Sequence, residues 1–171
     1  MARGRRKKDA VVEPTGPARV LVVNDEDGAS ELLSRLLSRA GYGVATAASH
    51  DAALVAMGSD PPQCILLDLA TGGIGQNLKL LDAIRTHIDD RVANARVVLV
   101  THQTNNRMFS WQAGIDAFLL RPFHADELLH EVAEALARPE DERERHRRRE
   151  LDAASGTGRV VEARPVDTQR F

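Results

Sequence analysis

Apolar residues along this chain fall into two alternating kinds of cluster. One kind is short and unbroken: Val20–Val23, Cys64–Leu67, Val97–Val100 and Ala117–Leu120. Such runs suit parallel strands covered on both faces. Tyr42 to Ala47 reads as a further strand, second in chain order. The other kind recurs at three and four residues, as one face of a helix does. It includes Leu32, Leu33, Leu36, Leu37 and Ala40, then Ala52, Ala53, Leu54 and Met57. Leu78, Leu81, Ile84 and Ile88 form a third set, and Leu128, Leu129, Val132, Ala133 and Leu136 the last. A short helix is predicted over 104–113. Gly41 is placed to end the first helix, and Ser49 to cap the second.

Strand and helix signals thus alternate from Arg19 to the last apolar stripe. That order predicts an α/β fold: a doubly wound, five-stranded parallel sheet with helices on both faces. Residues 1–17 are basic and broken by Pro14, Gly16 and Pro17, and read as a disordered arm. The folded unit is expected over 18–138. Residues 139–171 read as a charged tail, partly helical and then disordered. Pro139 separates it from the last helix of the domain. Glu140–Asp152 carries opposite charges three and four apart and reads as a solvated helix. No helix-turn-helix signal follows.

Charge narrows the partners only slightly. The arm carries Arg3, Arg5, Arg6, Lys7 and Lys8, but the formal net charge is −2, which gives no global reason to expect nucleic acid. The single cysteine, Cys64, lies in an apolar run. It cannot form an internal disulfide and is compatible with a reducing cytoplasm. No apolar run approaches the roughly 18 residues of a membrane span. The basic start is not followed by a hydrophobic signal segment, so a cytoplasmic location is expected. The histidines lack metal-ligand spacing.

The polar residues that end the apolar strands are Asn24-Asp25-Glu26, Asp68, Thr101 and Arg121. Ligands of open parallel sheets bind beyond these strand ends, where strand order reverses. With strands one and three adjacent, Asp25 and Asp68 are expected to face one another. Paired carboxylates repel unless a cation lies between them. Carboxylates, a carbonyl and water suit Mg²⁺. A hydroxyl and a cation at the rim then suit a phosphoryl group.

In order and near-expected spacing, Val20–Glu26 (VLVVNDE), Ile65–Asp68 (ILLD), Thr101, Gly114-Ile115-Asp116 and Arg121-Pro122-Phe123 resemble response-regulator receiver domains. The resemblance covers residues 18–137. It implies a flavodoxin-like sheet of order 2-1-3-4-5, a signalling module and not an enzyme, and a site centred on Asp68. By that resemblance Asp68 is the phospho-acceptor and Asp25 a direct Mg²⁺ ligand. Asn24 stands where a second acid is usual, and Glu26 is placed to compensate for it. Ala70 lends its backbone carbonyl to the metal. Thr101 is the switch hydroxyl, Phe118 the switch aromatic, and Arg121 replaces the lysine that bridges to the phosphoryl oxygens. The implied partners are a sensor histidine kinase and a downstream protein target. The implied homodimer uses the face of the fourth predicted helix, fifth strand and fifth predicted helix.

The departures define the alternatives. Asn24 removes one negative charge. Arg121 keeps a positive charge in a planar, forked shape. The loop Leu69–Gln76 lacks the usual Met-Pro and Asp-Gly elements and is expected to be mobile. His102 takes the place of a small residue. One reading is a single-domain response regulator phosphorylated on Asp68. The second is a pseudo-receiver, an interaction module that is not phosphorylated. The third is a nucleic-acid-binding regulator that uses the basic arm.

Overall fold

The structure, a computed structural model, describes residues 16–156. Five strands, β1 (Arg19–Asn24), β2 (Gly43–Ala47), β3 (Cys64–Asp68), β4 (Arg96–Thr101) and β5 (Ala117–Leu120), form one sheet in the order β2-β1-β3-β4-β5. Every pairing is parallel. The strand set and its order are those expected from the sequence.

The side-chain alternation of a strand divides the core into two. Val20, Val22, Cys64, Leu66, Val98 and Val100 point to one face of the sheet, where they meet α1 (Asp27–Arg39) and α6 (Ala125–Ala137). Leu21, Val23, Ile65, Leu67, Val97 and Leu99 point to the other, against α2 (His50–Ser59), α3 (Gly73–Arg85) and α5 (Arg107–Ala113). Both faces of β1, β3 and β4 are therefore covered, which is why their sequences lack a polar alternation.

The helix boundaries have local causes. Ser49 Oγ accepts the Ala52 N–H at 3.1 Å and caps α2. Gly41 takes a left-handed conformation just past α1, at φ 95°, as expected of a helix-ending glycine. Ile88 was expected on the third helix, but α3 ends at Arg85 and Ile88 is 99% exposed. A short helix absent from the pattern reading, α4 (Asp90–Ala93), follows and buries Val92.

The tail departs most from expectation. α7 (Glu140–Ala154) is helical, but it is not a free solvated helix. Leu151 and Ala154 pack against the core on the α5 side. Arg143 is buried, with 3% exposure. The basic arm up to residue 15, and the tail from residue 157, lie outside the described residues, and with them the arm on which a nucleic-acid reading depends. No helix among the described residues is long and apolar enough to cross a membrane.

Candidate functional site

The chain leaves β1 toward β2 on one side and returns to β3 on the other. This reversal opens a crevice beyond the C-terminal strand ends. Parallel register pairs Asn24 with Asp68 across it. Asn24 Nδ2 donates to Asp68 Oδ2 at 2.7 Å. The Glu26 N–H donates to Asn24 Oδ1 at 2.7 Å, which fixes the amide's orientation. Glu26 itself is exposed. Arg121, one residue beyond β5, donates its Nη2 to the same Asp68 oxygen. Its backbone N–H donates to the Thr101 carbonyl at 2.8 Å, tying the two strand ends together.

Asn24, not Asp25, therefore stands opposite Asp68. One step along the chain reverses the side-chain direction, and Asp25 turns to the loop after β3. Its Oδ1 accepts the Ala70 N–H at 2.8 Å and its Oδ2 the Thr71 N–H at 2.6 Å. Burial works against the Asp25 charge. The hydrogen bonds from Thr71 and Ala70 outweigh it and hold the carboxyl below its usual range.

The same loop is tied from the other side. Asn77 of α3 is buried. Its Oδ1 accepts the Leu69 N–H at 3.1 Å and its Nδ2 donates to the Leu69 carbonyl at 2.9 Å. Sequence reading missed Asn77. The available signal was its place on the helical stripe that also carries Leu80, Leu81 and Ile84. A polar residue on a buried stripe needs partners, and here they are the peptide groups next to Asp68. Gly72 and Gly73 turn the loop into α3 at φ 82° and 65°, where a side chain would be strained. The loop lacks the usual sequence elements, yet both flanks hold it.

Asp68, Thr101, His102 and Gln103 share the wall of a small cleft of about 120 Å³. Thr101 Oγ1 accepts the Gln103 N–H at 3.1 Å, so its own hydrogen is available to another acceptor. It does not cap α5, whose N-cap is Asn106. Phe118 is half-buried on β5, two residues before the level of Thr101. The Arg107 guanidinium lies over its ring, 5.3 Å from the centroid. Asn24, Asp68, Thr101 and Arg121 thus converge. Asp25 and Ala70 form the loop side, and Phe118 lies behind.

Asp68 is 7% exposed. Burial pushes its carboxyl above the usual range, and Arg121, Asn24 and the nearby His102 only partly offset this. The oxygen donors are chemically of the kind a hard divalent cation takes, but as arranged they do not fit one. Both Asp25 oxygens are held by backbone amides. The Ala70 carbonyl accepts the Gly73 N–H at 3.3 Å. Arg121 and Asn24 both point donors at Asp68 Oδ2. No group of three or more acidic, histidine or cysteine side chains suited to a metal occurs among the described residues.

Comparison with known proteins agrees with the fold. Residues 20–133 match the response regulator receiver domain family. The response regulator MprA of Mycolicibacterium vanbaalenii is 32% identical over 127 residues, 73% of this chain and 54% of that protein. The DNA-binding response regulator MtrA of Mycolicibacterium smegmatis is 29% identical over 126 residues, 72% of this chain and 53% of that protein. The chain spans about half the length of these relatives. Among solved structures, a response regulator from Chloroflexus aurantiacus aligns at TM-score 0.64 and 28% identity, covering 71% of this chain and 99% of that one. TrrA from Thermotoga maritima, in complex with Mg²⁺ and BeF, aligns at TM-score 0.60 and 31% identity, covering 69% and 98%.

Proposed function

The chain belongs to the response regulator receiver family, and from that premise we propose that it receives a phosphoryl group on Asp68 from a sensor histidine kinase in the cytoplasm. The observation that carries this reading is the position of Asp68. It ends β3 at the crevice, and its Oδ2 is held by Asn24 and Arg121. Oδ1 is then the oxygen that attacks.

The transfer breaks the nitrogen–phosphorus bond of the donor histidine and forms an oxygen–phosphorus bond at Oδ1. The product is an acyl phosphate, and the departing imidazole takes a proton from water. Arg121 suits the new charge, because a guanidinium fork matches phosphate oxygens. The Thr101 hydroxyl donates to the same group. Catalysis of this kind comes from position and charge. The modified domain then acts through protein contacts. The candidate face for a target or a second copy is the part of α5–β5–α6 that α7 leaves open, where Phe109 and Leu120 are exposed.

A second reading is favoured by the same contacts. The amides on Asp25, and Arg121 on Asp68, suit an interaction module that keeps the fold and is not phosphorylated. One experiment separates the two. The full chain is treated with a small-molecule phosphodonor, with and without Mg²⁺, and weighed intact. Gain of one phosphoryl group, absent from Asp68→Asn, supports the first reading. An unchanged mass under both conditions supports the second.

A further inference from the structure

α7 is held to the domain in two zones of different character. Its first half is anchored at the sheet edge away from the crevice. There the buried Arg143 donates to Asp116 Oδ1 at 2.6 Å and Oδ2 at 3.0 Å. Arg147 reaches the Gly114 and Ile115 carbonyls at 2.8 and 2.9 Å. From its middle onward the helix also lies along α5. His146 meets the edge of Trp111, with centroids 5.5 Å apart, and Glu150 pairs with Arg107 at 2.8 Å.

Arg107 has three attachments, and each leads somewhere. It is the first residue of α5. Its guanidinium covers the Phe118 ring and at the same time binds Glu150 of α7. Its backbone N–H donates to the Thr104 carbonyl at 3.1 Å. Thr104 belongs to the loop that starts at the crevice wall, where Thr101 Oγ1 holds Gln103 and Gln103 Oε1 accepts from Asn106 at 2.9 Å. A continuous set of contacts therefore runs from the Asp68 crevice through this loop to Arg107, and from Arg107 to α7.

We propose that Arg107 is a positioning residue that latches the second half of α7, and that the state of the Asp68 crevice sets this latch. The asymmetry of the two zones supports it. The Asp116 anchor is buried, so breaking it leaves charges without solvent. The Arg107–Glu150 pair is 45% and 30% exposed, so it is weak and easily reset. Leu151 and Ala154 also pack this half against the core, so what the pair controls is a local shift and not a free end. An element pinned by buried charges at one end, and held at the other by apolar contact and one exposed pair, can take two arrangements, as a coupled device needs. The role of the crevice as input rests on the proposed function; the latch itself does not.

Amide exchange and Trp111 fluorescence of the full chain test this. Trp111 is the only tryptophan and reports contact with α7. Arg107→Gln and Glu150→Gln should each speed exchange over residues 147–154 by about two- to fivefold, as loss of a weak surface pair does. Exchange over 140–143 should not change, which separates local release from unfolding. Thr101→Val, which frees the loop without any phosphodonor, should speed 147–154 in the same way. If Arg107→Gln leaves 147–154 at the native rate, there is no latch. If Thr101→Val does so, the crevice does not set it. A phosphodonor arm with intact-mass control separates the two proposals. Mass gain with unchanged exchange overturns the coupling and leaves the function standing. Absence of mass gain overturns the function, and the coupling is then decided by Thr101→Val.

Discussion

Arg143 Nε lies 2.6 Å from Asp116 Oδ1, with 3% of the arginine side chain and none of the aspartate side chain exposed. Arg85 and Arg147 reach the same carboxylate at 3.1 and 3.0 Å, and the Val97 N–H donates to its Oδ2 at 2.8 Å. One acid at the start of β5 therefore joins α3, β4 and α7. The arginine-rich composition of α7, which looks like a solvated surface, is partly the lining of this buried node.

Asp116→Asn should be among the most destabilising single changes in the domain. It removes the one full negative charge at the centre of three guanidinium groups. Breaking a buried pair from one side costs about 3–5 kcal/mol. Denaturant melts should show that loss, and limited proteolysis should cut first in α7. A loss within about 0.5 kcal/mol, the usual range for surface changes, would show that the node is not an anchor.

The same node gives stability a definite acid dependence. Burial opposes ionisation of Asp116, but the Arg143 hydrogen bond and the charges of Arg147, Arg143 and Arg85 overcome it and hold its carboxyl below the usual range. Its contribution is full above about pH 4, the ordinary aspartate value, and is lost as pH falls through the depressed one. His146 acts earlier. Burial, then the nearby charge of Arg138, lowers its imidazole, although Glu150 and Asp116 pull the other way. Below about pH 6.5 the unfolded chain binds the proton first, so stability begins to fall there. Melts from pH 8 to 3 should show two declines, and His146→Gln should abolish only the upper one.

The fold was legible because strands buried on both faces must be apolar throughout, and the chain announces each with a run and a polar stop. Asp68, Thr101 and Arg121 were legible for the same reason, since they are those stops. The direction of Asp25 was not. It depends on where β1 ends and on which amides the loop presents, and neither is written in residue type. The docking of α7 was hidden because its partner, Asp116, is a lone acid about 30 positions away in sequence. Periodicity sees apolar faces, and this contact is mainly ionic.

Asn77→Ala should loosen the loop behind Asp68. The side chain satisfies both the N–H and the carbonyl of Leu69, and unsatisfied buried polar groups cost about 1–3 kcal/mol. Exchange of the Leu69 amide should rise, and any phosphoryl gain at Asp68 should slow, because the residue after the nucleophile is no longer fixed. Asn77→Asp keeps one acceptor and should recover part of the Leu69 protection. If both variants match the native exchange rate, the loop is held by Asp25 alone.

Asn24→Asp tests why the site, as arranged, does not fit a divalent ion. The native amide donates to Asp68 Oδ2 at 2.7 Å. An aspartate there has no donor when ionised and sets a second negative charge against a carboxyl whose burial already disfavours ionisation. Like charges at one site drive the acid pKa further up. In chelator the variant should therefore be less stable than the native chain, by about 1–3 kcal/mol. The second acid also supplies what Mg²⁺ lacks, a partner able to compete with Arg121 for Asp68. Added Mg²⁺ should then raise the melting temperature of the variant, by about 1.4 kcal/mol in stability at ten times the dissociation constant. The native chain should gain much less. Equal stabilisation of both proteins by Mg²⁺ would show that Arg121 and the amides on Asp25 yield readily to the ion, and that Asn24 is not what limits its entry.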